Sequence, residues 1–315
     1  MGIKKLNKFL LDNCSVRSIR KIHFRELEGK TITIDISIYM YHFLGDEQLM
    51  ENMYTFLSIL KYYCVIPIFI FDGKPPPEKW DLIKQRNNER KDARNKYDAL
   101  IAAGANVSTE ELDNLRKKMV KLTPEDISQT KQLIDAFGFS YIDAPKEADH
   151  LCVSFVKSGI ADACMSDDCD MFLLNCPKVI RYLSLMKQSA VIYDTQNILR
   201  ELKINYEDFL KIMVLTGTDY DLSQNRSLKQ SLELYKQYKN DETTLVVKSN
   251  FHNWLYNNNQ ITDLEKLQGL CNMFNMDIIM EEYMEIMETY LNEEDKKNDI
   301  NKIKQLMIPY NFIFV

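Results

Sequence analysis

The chain has 315 residues, of which 45% are apolar and 27% are charged, and its formal net charge is −6. This composition predicts a folded chain with a large buried core, in one domain or two, and argues against disorder on a large scale. The acidic net charge argues against indiscriminate binding of nucleic acid, so any contact with nucleic acid has to be local.

Seven cysteines and four histidines bear on the compartment. The odd cysteine count and the absence of CxxC spacing favour free thiols in a reducing compartment over a disulfide framework or a zinc site. No apolar run reaches the roughly 18 residues of a membrane span, and the N-terminus lacks a signal-peptide core. We therefore expect a soluble, intracellular protein without a membrane contact.

The first part of the chain alternates predicted strands and helices. After a short amphipathic helix, a strand over Lys30–Ile34 ends at Asp35, and an amphipathic helix leads to a second strand that ends at Asp72. Further strands lie in FSYIDAP and IADACM, and a helix in LKIMVLTGTDY leads to Asp219. This order predicts an α/β fold with a mostly parallel central sheet flanked by helices. Carboxylates at the carboxyl ends of such strands are good candidates for a site.

A basic segment separates the second and third strands. From Lys79 to Lys96 it has seven Lys or Arg residues and three Asp or Glu residues. On a helical wheel Lys79, Arg86 and Arg90 fall within about 40° of one another, which predicts a basic stripe. The alternative is a solvated helix with i, i+4 pairs. A break is predicted near Ala103, and a capping box begins the next helix at Ser108, so the two charged helices form an insertion in the sheet.

Two pairs of carboxylates with the same i, i+2 spacing follow: Glu147 with Asp149, and Asp168 with Asp170. If both pairs reach one edge of a sheet, four negative charges crowd together, which is unfavourable without cations. Oxygen-only ligation favours Mg²⁺ or Mn²⁺. The alternative, which the residues alone leave open, is that these acids cap helices and complement helix dipoles.

The region after Asp219 gives weaker signals. A basic helix is predicted in SQNRSLKQSLELYKQYK, mixed helices extend to about Leu291, and a charged linker or helix precedes the apolar end LMIPYNFIFV. An apolar end of this kind either binds a partner or packs on the fold.

Residues 1 to about 220 resemble the flap endonucleases and their structure-specific 5′-nuclease relatives. The resemblance is carried by six segments in the family's order: MGIKKL, TIDISIYMYHFL, IFIFDGKPPPEK, YIDAPKEADHLC, MSDDCDMF and LTGTDY. It implies a nuclease core over residues 1–220 with an inserted helical arch at about 79–137, and a helical DNA-binding region over 221–315.

The resemblance also implies the site residues. Two Mg²⁺ or Mn²⁺ ions are expected on seven carboxylates, which are Asp35, Asp72, Glu147, Asp149, Asp168, Asp170 and Asp219. Among these, Asp168 and Asp170 are expected to be catalytic, together with Lys79 and Arg86 at the scissile phosphate. Where this chain has Asp149, the family usually has a glutamate. The expected nucleic-acid contacts are Tyr41, which matches a base-stacking position, with Lys79, Arg86, Arg90, Arg226 and Lys229.

Three departures from the family pattern narrow these expectations. The segment DLSQNRSLKQS lacks the glycines of the family's helix-two-turn-helix, so binding of a monovalent cation there is doubtful. The loop between Tyr41 and Tyr54 lacks the acidic block of the family's 3′-flap pocket. The C-terminal end lacks the basic tail and the clean spacing of a sliding-clamp peptide, so a clamp contact is a weak expectation.

The function implied is metal-dependent hydrolysis of phosphodiester bonds at 5′ flaps or single-strand/duplex junctions of DNA. The expected setting is replication, repair or recombination, with branched or 5′-flapped DNA as the partner of a monomeric protein in the nucleus. Two alternatives stay open, a 5′ to 3′ exonuclease acting on DNA or RNA and a nucleic-acid-binding scaffold without catalysis.

Overall fold

The computed structural model describes residues 3–102, 108–221, 226–241, 250–292, 296–310 and 312. Its strands are β1 (Ile19–His23), β2 (Thr31–Asp35), β3 (Ile66–Phe71), β4 (Ser140–Asp143), β5 (Ala163–Met165), β6 (Lys178–Ser184) and β7 (Ser189–Asp194). They form a mixed seven-stranded sheet in the order β1-β7-β6-β5-β2-β3-β4, flanked by helices. The predicted α/β fold is confirmed.

The helices up to β4 are α1 (Leu6–Asn13), α2 (Ile36–Gly45), α3 (Leu49–Tyr62), α4 (Trp80–Ala102), α5 (Thr109–Met119) and α6 (Pro124–Ala136). The later helices are α7 (Ala148–Lys157), α8 (Asp170–Leu173), α9 (Thr195–Leu202), α10 (Tyr206–Thr216), α11 (Leu228–Asn240), α12 (Phe251–Asn257), α13 (Leu264–Asn272), α14 (Met276–Leu291) and α15 (Ile300–Met307). No helix in these described ranges is long and apolar enough to cross a membrane.

The chain divides into two compact units. Unit 1 comprises Met1–Ile22, Asp149–Tyr182 and Ala190–Thr289, and unit 2 comprises His23–Ala148, Leu183–Ser189 and Tyr290–Val315. Each unit draws on three separated segments of the chain. The division into a nuclease core over 1–220 and a DNA-binding region over 221–315 stays a prediction.

In unit 2, strands β2, β3 and β4 pair in parallel. The apolar runs of β2 and β3 are buried almost throughout, as expected for parallel strands covered on both faces, whereas β4 is only partly buried. Asp35 pairs with Ile70, and Phe71 pairs with Asp143. The strands therefore end at nearly the same level, and the residues that follow them emerge at one edge.

The inserted helices α4 and α5 belong to unit 2. Helix α4 buries only Leu82 and Ala93 along its 23 residues, which agrees with its charged sequence. Ser108 caps α5 as predicted, because its Oγ accepts a hydrogen bond from the N–H of Glu111. The predicted break near Ala103 lies outside the described residues.

The C-terminal segment packs on α6 of unit 2. The N–H of Asp299 donates to the carbonyl of Ala136 at 2.8 Å, and Lys302 pairs with Asp135 at 2.9 Å. The apolar end continues this packing, since the ring of Phe312 lies 4.4 Å from that of Tyr54. The sequence left two alternatives for this end, binding a partner or packing on the fold, and Phe312 packs on the fold.

In unit 1, strands β5 and β6 pair in parallel, with Met165 opposite Ile180. Strands β1, β6 and β7 were not predicted.

The seven cysteines are free thiols, in agreement with the sequence expectation. Helix α10 buries eight of its eleven residues and is followed by Gly217, whose φ of 113° lets the chain turn toward Asp219.

Candidate active site

Three of the seven predicted carboxylates belong to unit 2, and each follows a parallel strand. Asp35 is the last residue of β2 and is 6% exposed. Asp72 comes directly after β3, and Glu147 lies in the turn between β4 and α7. The carboxyl ends of neighbouring parallel strands are where α/β proteins bind ligands. The structure thus places these three acids at the strand ends that the sequence predicted.

The turns that carry Asp72 and Glu147 are joined to each other. Oδ1 of Asp72 accepts a hydrogen bond from the N–H of Ala148 at 2.9 Å. The N–H of Gly73 donates to the carbonyl of Lys146 at 2.6 Å. A Cβ on Gly73 would lie only 2.0 Å from the carbonyl oxygen of Ala144, so this close approach of two backbones requires glycine. These contacts fix the positions from which both carboxylates project.

Lys79 forms an ion pair with one of these carboxylates. Its Nζ lies 2.6 Å from Oε1 of Glu147, and the two side chains are 13% and 14% exposed. A charge-assisted bond of this length between mostly buried groups is strong. A divalent cation at Glu147 or a phosphate at Lys79 has to compete with this pair, which no sequence pattern indicated.

The predicted basic stripe lies on α4 of unit 2. Arg86 and Arg90 are both half-buried, and the guanidinium of Arg90 lies 5.9 Å from the ring centroid of Tyr41. This cation–π contact connects α4 with α2, the helix that follows Asp35. The structure therefore brings the proposed base-stacking tyrosine next to the basic stripe, although it does not test their binding to nucleic acid.

The other four carboxylates belong to unit 1. Asp149 is 9% exposed and lies in the first turn of α7, and Asp170, which is 1% exposed, is the first residue of α8. Both positions also suit the alternative interpretation, in which acids complement helix dipoles. Asp168 precedes α8 and accepts a hydrogen bond on Oδ1 from the N–H of Asp170 at 3.1 Å. Asp219 follows α10.

The donor set fits hard divalent cations. All seven acids offer oxygen ligands only, and Asp35, Asp149 and Asp170 are at most 9% exposed. A buried ionised carboxylate is costly unless a cation or several hydrogen-bond donors accompany it. Within the described residues, no group of three or more His, Cys, Asp or Glu side chains is close enough to hold a metal ion. The seven-carboxylate site therefore stays a prediction.

The predicted duplex contacts lie around α11 of unit 1. Arg226 is partly buried and donates from Nη2 to the carbonyl of Gln260, and burial lowers the pKa of this guanidinium. Lys229 is 86% exposed, with its Nζ 3.9 Å from Glu233. Lys229 is thus accessible to a phosphate, whereas Arg226 is already engaged in the fold. Most of the turn that lacks the family's glycines, residues 222–225, lies outside the described part.

One charged residue close to the predicted metal ligands was missed at the sequence level. Arg181 lies within β6 and is 4% exposed. The signal that could have revealed it is a single arginine inside the otherwise apolar run VIRYL, because a strand buries such a charge only when it has a structural or functional role.

Comparison with known proteins agrees with the motifs. The XPG N-terminal domain matches residues 1–93, and the XPG I-region matches residues 138–219. Flap endonuclease 1 of Drosophila yakuba is 29% identical over 265 residues, which are 78% of this chain and 67% of the relative. Human flap endonuclease 1 is 29% identical over 77% of this chain and 68% of its own length. For the Chlamydomonas reinhardtii enzyme the covered share is 59% of the relative.

Solved structures show the same fold. The flap endonuclease-1 from Methanococcus jannaschii aligns with a TM-score of 0.59 and 21% identity over 98% of each chain. The catalytic core of Rad2 in complex with a DNA substrate aligns with a TM-score of 0.61 and 22% identity, covering 98% of this chain and 94% of the other. At these identities the likeness concerns the fold alone.

Proposed function

The chain belongs to the flap endonuclease family of structure-specific 5′-nucleases, enzymes that hydrolyse phosphodiester bonds of DNA, and on this premise we propose that it cleaves 5′-flapped DNA near the single-strand/duplex junction with two divalent metal ions. The observation that carries this proposal is the placement of seven carboxylates at the ends of strands and helices in the family's order. Replication, repair or recombination is the setting that we propose from the named relatives.

The residues proposed to hold two Mg²⁺ or Mn²⁺ ions are the seven carboxylates, some directly and some through water. When bound, the two ions would supply an activated water and neutralise charge that develops on the phosphate. The most buried carboxylates of the set are Asp35, Asp149 and Asp170. Because water hydrates them poorly, we expect a bound cation to stabilise their ionised forms most. Asp149 is one methylene shorter than the family's usual glutamate, so we expect its carboxylate to reach less far toward a metal ion. A monovalent cation is not proposed.

The protein's cations bind and orient the phosphate. We assign Lys79 and Arg86 to its non-bridging oxygens, where the planar guanidinium of Arg86 can bind two oxygens at once. In the structure Lys79 is paired with Glu147. When substrate and metal bind, the lysine side chain therefore has to leave this carboxylate and contact the phosphate instead. Arg90 and Tyr41 are proposed to contact the nucleotide next to the cut, with Lys229 and Arg226 on the duplex.

Asparagine at the ligand positions tests this proposal. Asp168→Asn or Asp170→Asn removes one negative charge with almost no change in shape, so turnover of a 5′-flapped substrate in Mg²⁺ should fall below detection while DNA binding is retained. Gel-shift titration in Ca²⁺ and a single-turnover cleavage assay measure the two properties. Full activity in either variant would refute the assignment.

The C-terminal end limits one further proposal. A sliding-clamp contact through this end stays a prediction. Two of its aromatic side chains already have partners, because Tyr310 donates to Oε1 of Gln129 at 2.6 Å and Phe312 packs on Tyr54. A clamp that used these aromatic side chains would first have to release them from unit 2. Nuclear location likewise rests on the named relatives.

A further inference from the structure

Arg181 is a buried arginine on β6 of unit 1, with 4% of its surface exposed. Three aromatic rings surround its guanidinium: the centroid of Tyr182 lies 5.1 Å from Cζ, that of Tyr193 5.6 Å, and that of Phe172 5.7 Å. Cation–π contacts offset part of the cost of burying this charge. A buried charge is costly unless it is paired or hydrogen-bonded, so the hydrogen-bond partners of Arg181 indicate its role.

The segment held by Arg181 is the one that leads to Asp168. Nη2 of Arg181 donates to the carbonyl oxygen of Asp167 at 2.6 Å. The N–H of the next residue, Tyr182, donates to Oδ1 of the same Asp167 at 2.7 Å. Consecutive residues of β6 therefore bind both the backbone and the side chain of Asp167.

A second set of hydrogen bonds joins β6 to the proposed metal ligands through Ser166, the residue before Asp167. The N–H of Ser166 donates to the carbonyl of Ile180 at 3.1 Å, and Oγ of Ser166 accepts from the N–H of Asp168 at 3.2 Å. Oδ1 of Asp168 in turn accepts from the N–H of Asp170 at 3.1 Å. Hydrogen bonds thus run without a gap from β6 to two of the carboxylates.

We propose that Arg181, together with Asp167, is a positioning residue for divalent-metal binding, which fixes the segment 166–170 so that Asp168 and Asp170 are oriented before a metal arrives. The inference rests on the proposed function, because it takes these two aspartates as ligands. Groups behind a ligand commonly set its orientation, and their loss typically weakens metal affinity about 10- to 100-fold.

The direction in which metal affinity changes when Arg181 is replaced distinguishes a positioning role from a simple electrostatic one. Arg181 is a positive charge that interacts with the carboxylate of Asp167, next to the proposed ligand Asp168, so its removal would by itself strengthen the binding of a cation. Loss of the contact with Asp167 would instead let the segment relax and weaken binding. Lysine keeps the charge but lacks the planar fork of donors, so it should restore binding only in part.

The experiment uses the full chain with the substitution Arg181→Gln. We expect the Mg²⁺ concentration for half-maximal cleavage of 5′-flapped DNA to rise at least about 10-fold. Binding of Mn²⁺ alone, followed by electron paramagnetic resonance without DNA, should weaken by a similar factor, and Arg181→Lys should fall between this variant and the natural chain. DNA binding in Ca²⁺ should change little.

Lys178→Gln is the matched control, because it removes the same charge from an exposed position on the same strand. We expect it to leave metal binding unchanged. Unchanged or tighter Mn²⁺ binding in Arg181→Gln would overturn the positioning role. If Arg181→Gln does not fold, Asp167→Ala and Asp167→Asn decide: alanine should weaken Mn²⁺ binding because no side-chain oxygen accepts from Tyr182, and equal binding in both variants would overturn the proposal.

The two proposals fail in different ways. Full turnover in Asp170→Asn contradicts the metal site itself. Loss of turnover in Asp170→Asn, combined with normal Mn²⁺ binding in Arg181→Gln, contradicts only the positioning role of Arg181.

Discussion

Lys79 has two competing partners in the proposed reaction, the carboxylate of Glu147 and a phosphate of the substrate. In the structure its ammonium lies 2.6 Å from Glu147, and both side chains are mostly buried. Without a metal ion, this ion pair compensates the negative charge of Glu147, and it keeps the Lys79 ammonium close to the strand ends. We expect Lys79 to stabilise the fold through Glu147 in the absence of substrate and to contact the phosphate in the proposed reaction.

Lys79→Ala should lower the single-turnover rate on 5′-flapped DNA by about 100-fold or more, because a fixed cation at the phosphate stabilises the charge that develops there. Lys84→Ala is the matched control on the exposed side of α4 and should change the rate by less than about threefold. Rapid-quench kinetics at saturating Mg²⁺ measure both. Equal rates for the two variants would remove Lys79 from the reaction.

Motif order singled out seven carboxylates and two cations as individual residues, and the structure places each acid next to a strand or helix end. Their contacts were not predicted. The ion pair between Lys79 and Glu147 joins residues 68 positions apart, and the Arg181–Asp167 contact joins β6 to the segment after β5. Such pairs depend on tertiary packing, which a single sequence does not display.

The turns after β3 and β4 act as one element of the site. Gly73 bonds to the carbonyl of Lys146, and Asp72 bonds to the N–H of Ala148, so each turn holds the other. The acids on these turns are therefore positioned by backbone contacts. A change in either turn is transmitted to both Asp72 and Glu147.

Gly73→Ala should destabilise the protein by about 1–3 kcal/mol, because the added Cβ would lie 2.0 Å from the carbonyl oxygen of Ala144 and the two turns must separate. Cleavage should fall together with stability, since both carboxylates move. Gly269→Ala is the control: nothing lies within 4 Å of that Cβ, and alanine within α13 should be neutral or mildly stabilising. Urea unfolding measures the free energy of unfolding of both variants, and equal values would contradict the close contact between the turns after β3 and β4.

Strands that carry strong patterns were predicted, and strands bounded by unusual turns were not. The runs of β2 and β3 are apolar and end in an acid, which makes them visible. The turn between β6 and β7, residues 185–188, contains no glycine, and Gln188 at its end takes a positive φ of 46°. Glycine, asparagine and aspartate are the residues expected at such positions, so the turn carried no recognisable sequence signal.

At the scale of the whole molecule, an acidic chain must bind a polyanion through local features. The net charge of −6 argues against attraction by the chain as a whole. The segment from Lys79 to Lys96 is locally basic, with seven Lys or Arg residues and three Asp or Glu residues. We therefore expect this segment to provide a local contact with nucleic acid.

Family membership leaves open which nucleic acid is cut and where. A 5′ to 3′ exonuclease of the same fold would use the same carboxylates, and a scaffold without catalysis would bind DNA and leave it intact. These activities differ in the products that they make from one labelled molecule. Product length therefore separates them more directly than any binding measurement.

The central claim is tested by mapping the cut on a 5′-labelled DNA flap, beside blunt, gapped and RNA substrates, with Mg²⁺ and with EDTA. We predict one principal product whose length corresponds to cleavage within about one nucleotide of the junction, formed only with Mg²⁺ and lost in Asp170→Asn. Release of mononucleotides from the 5′ end, cleavage of RNA alone, or DNA that stays intact in Mg²⁺ would contradict it.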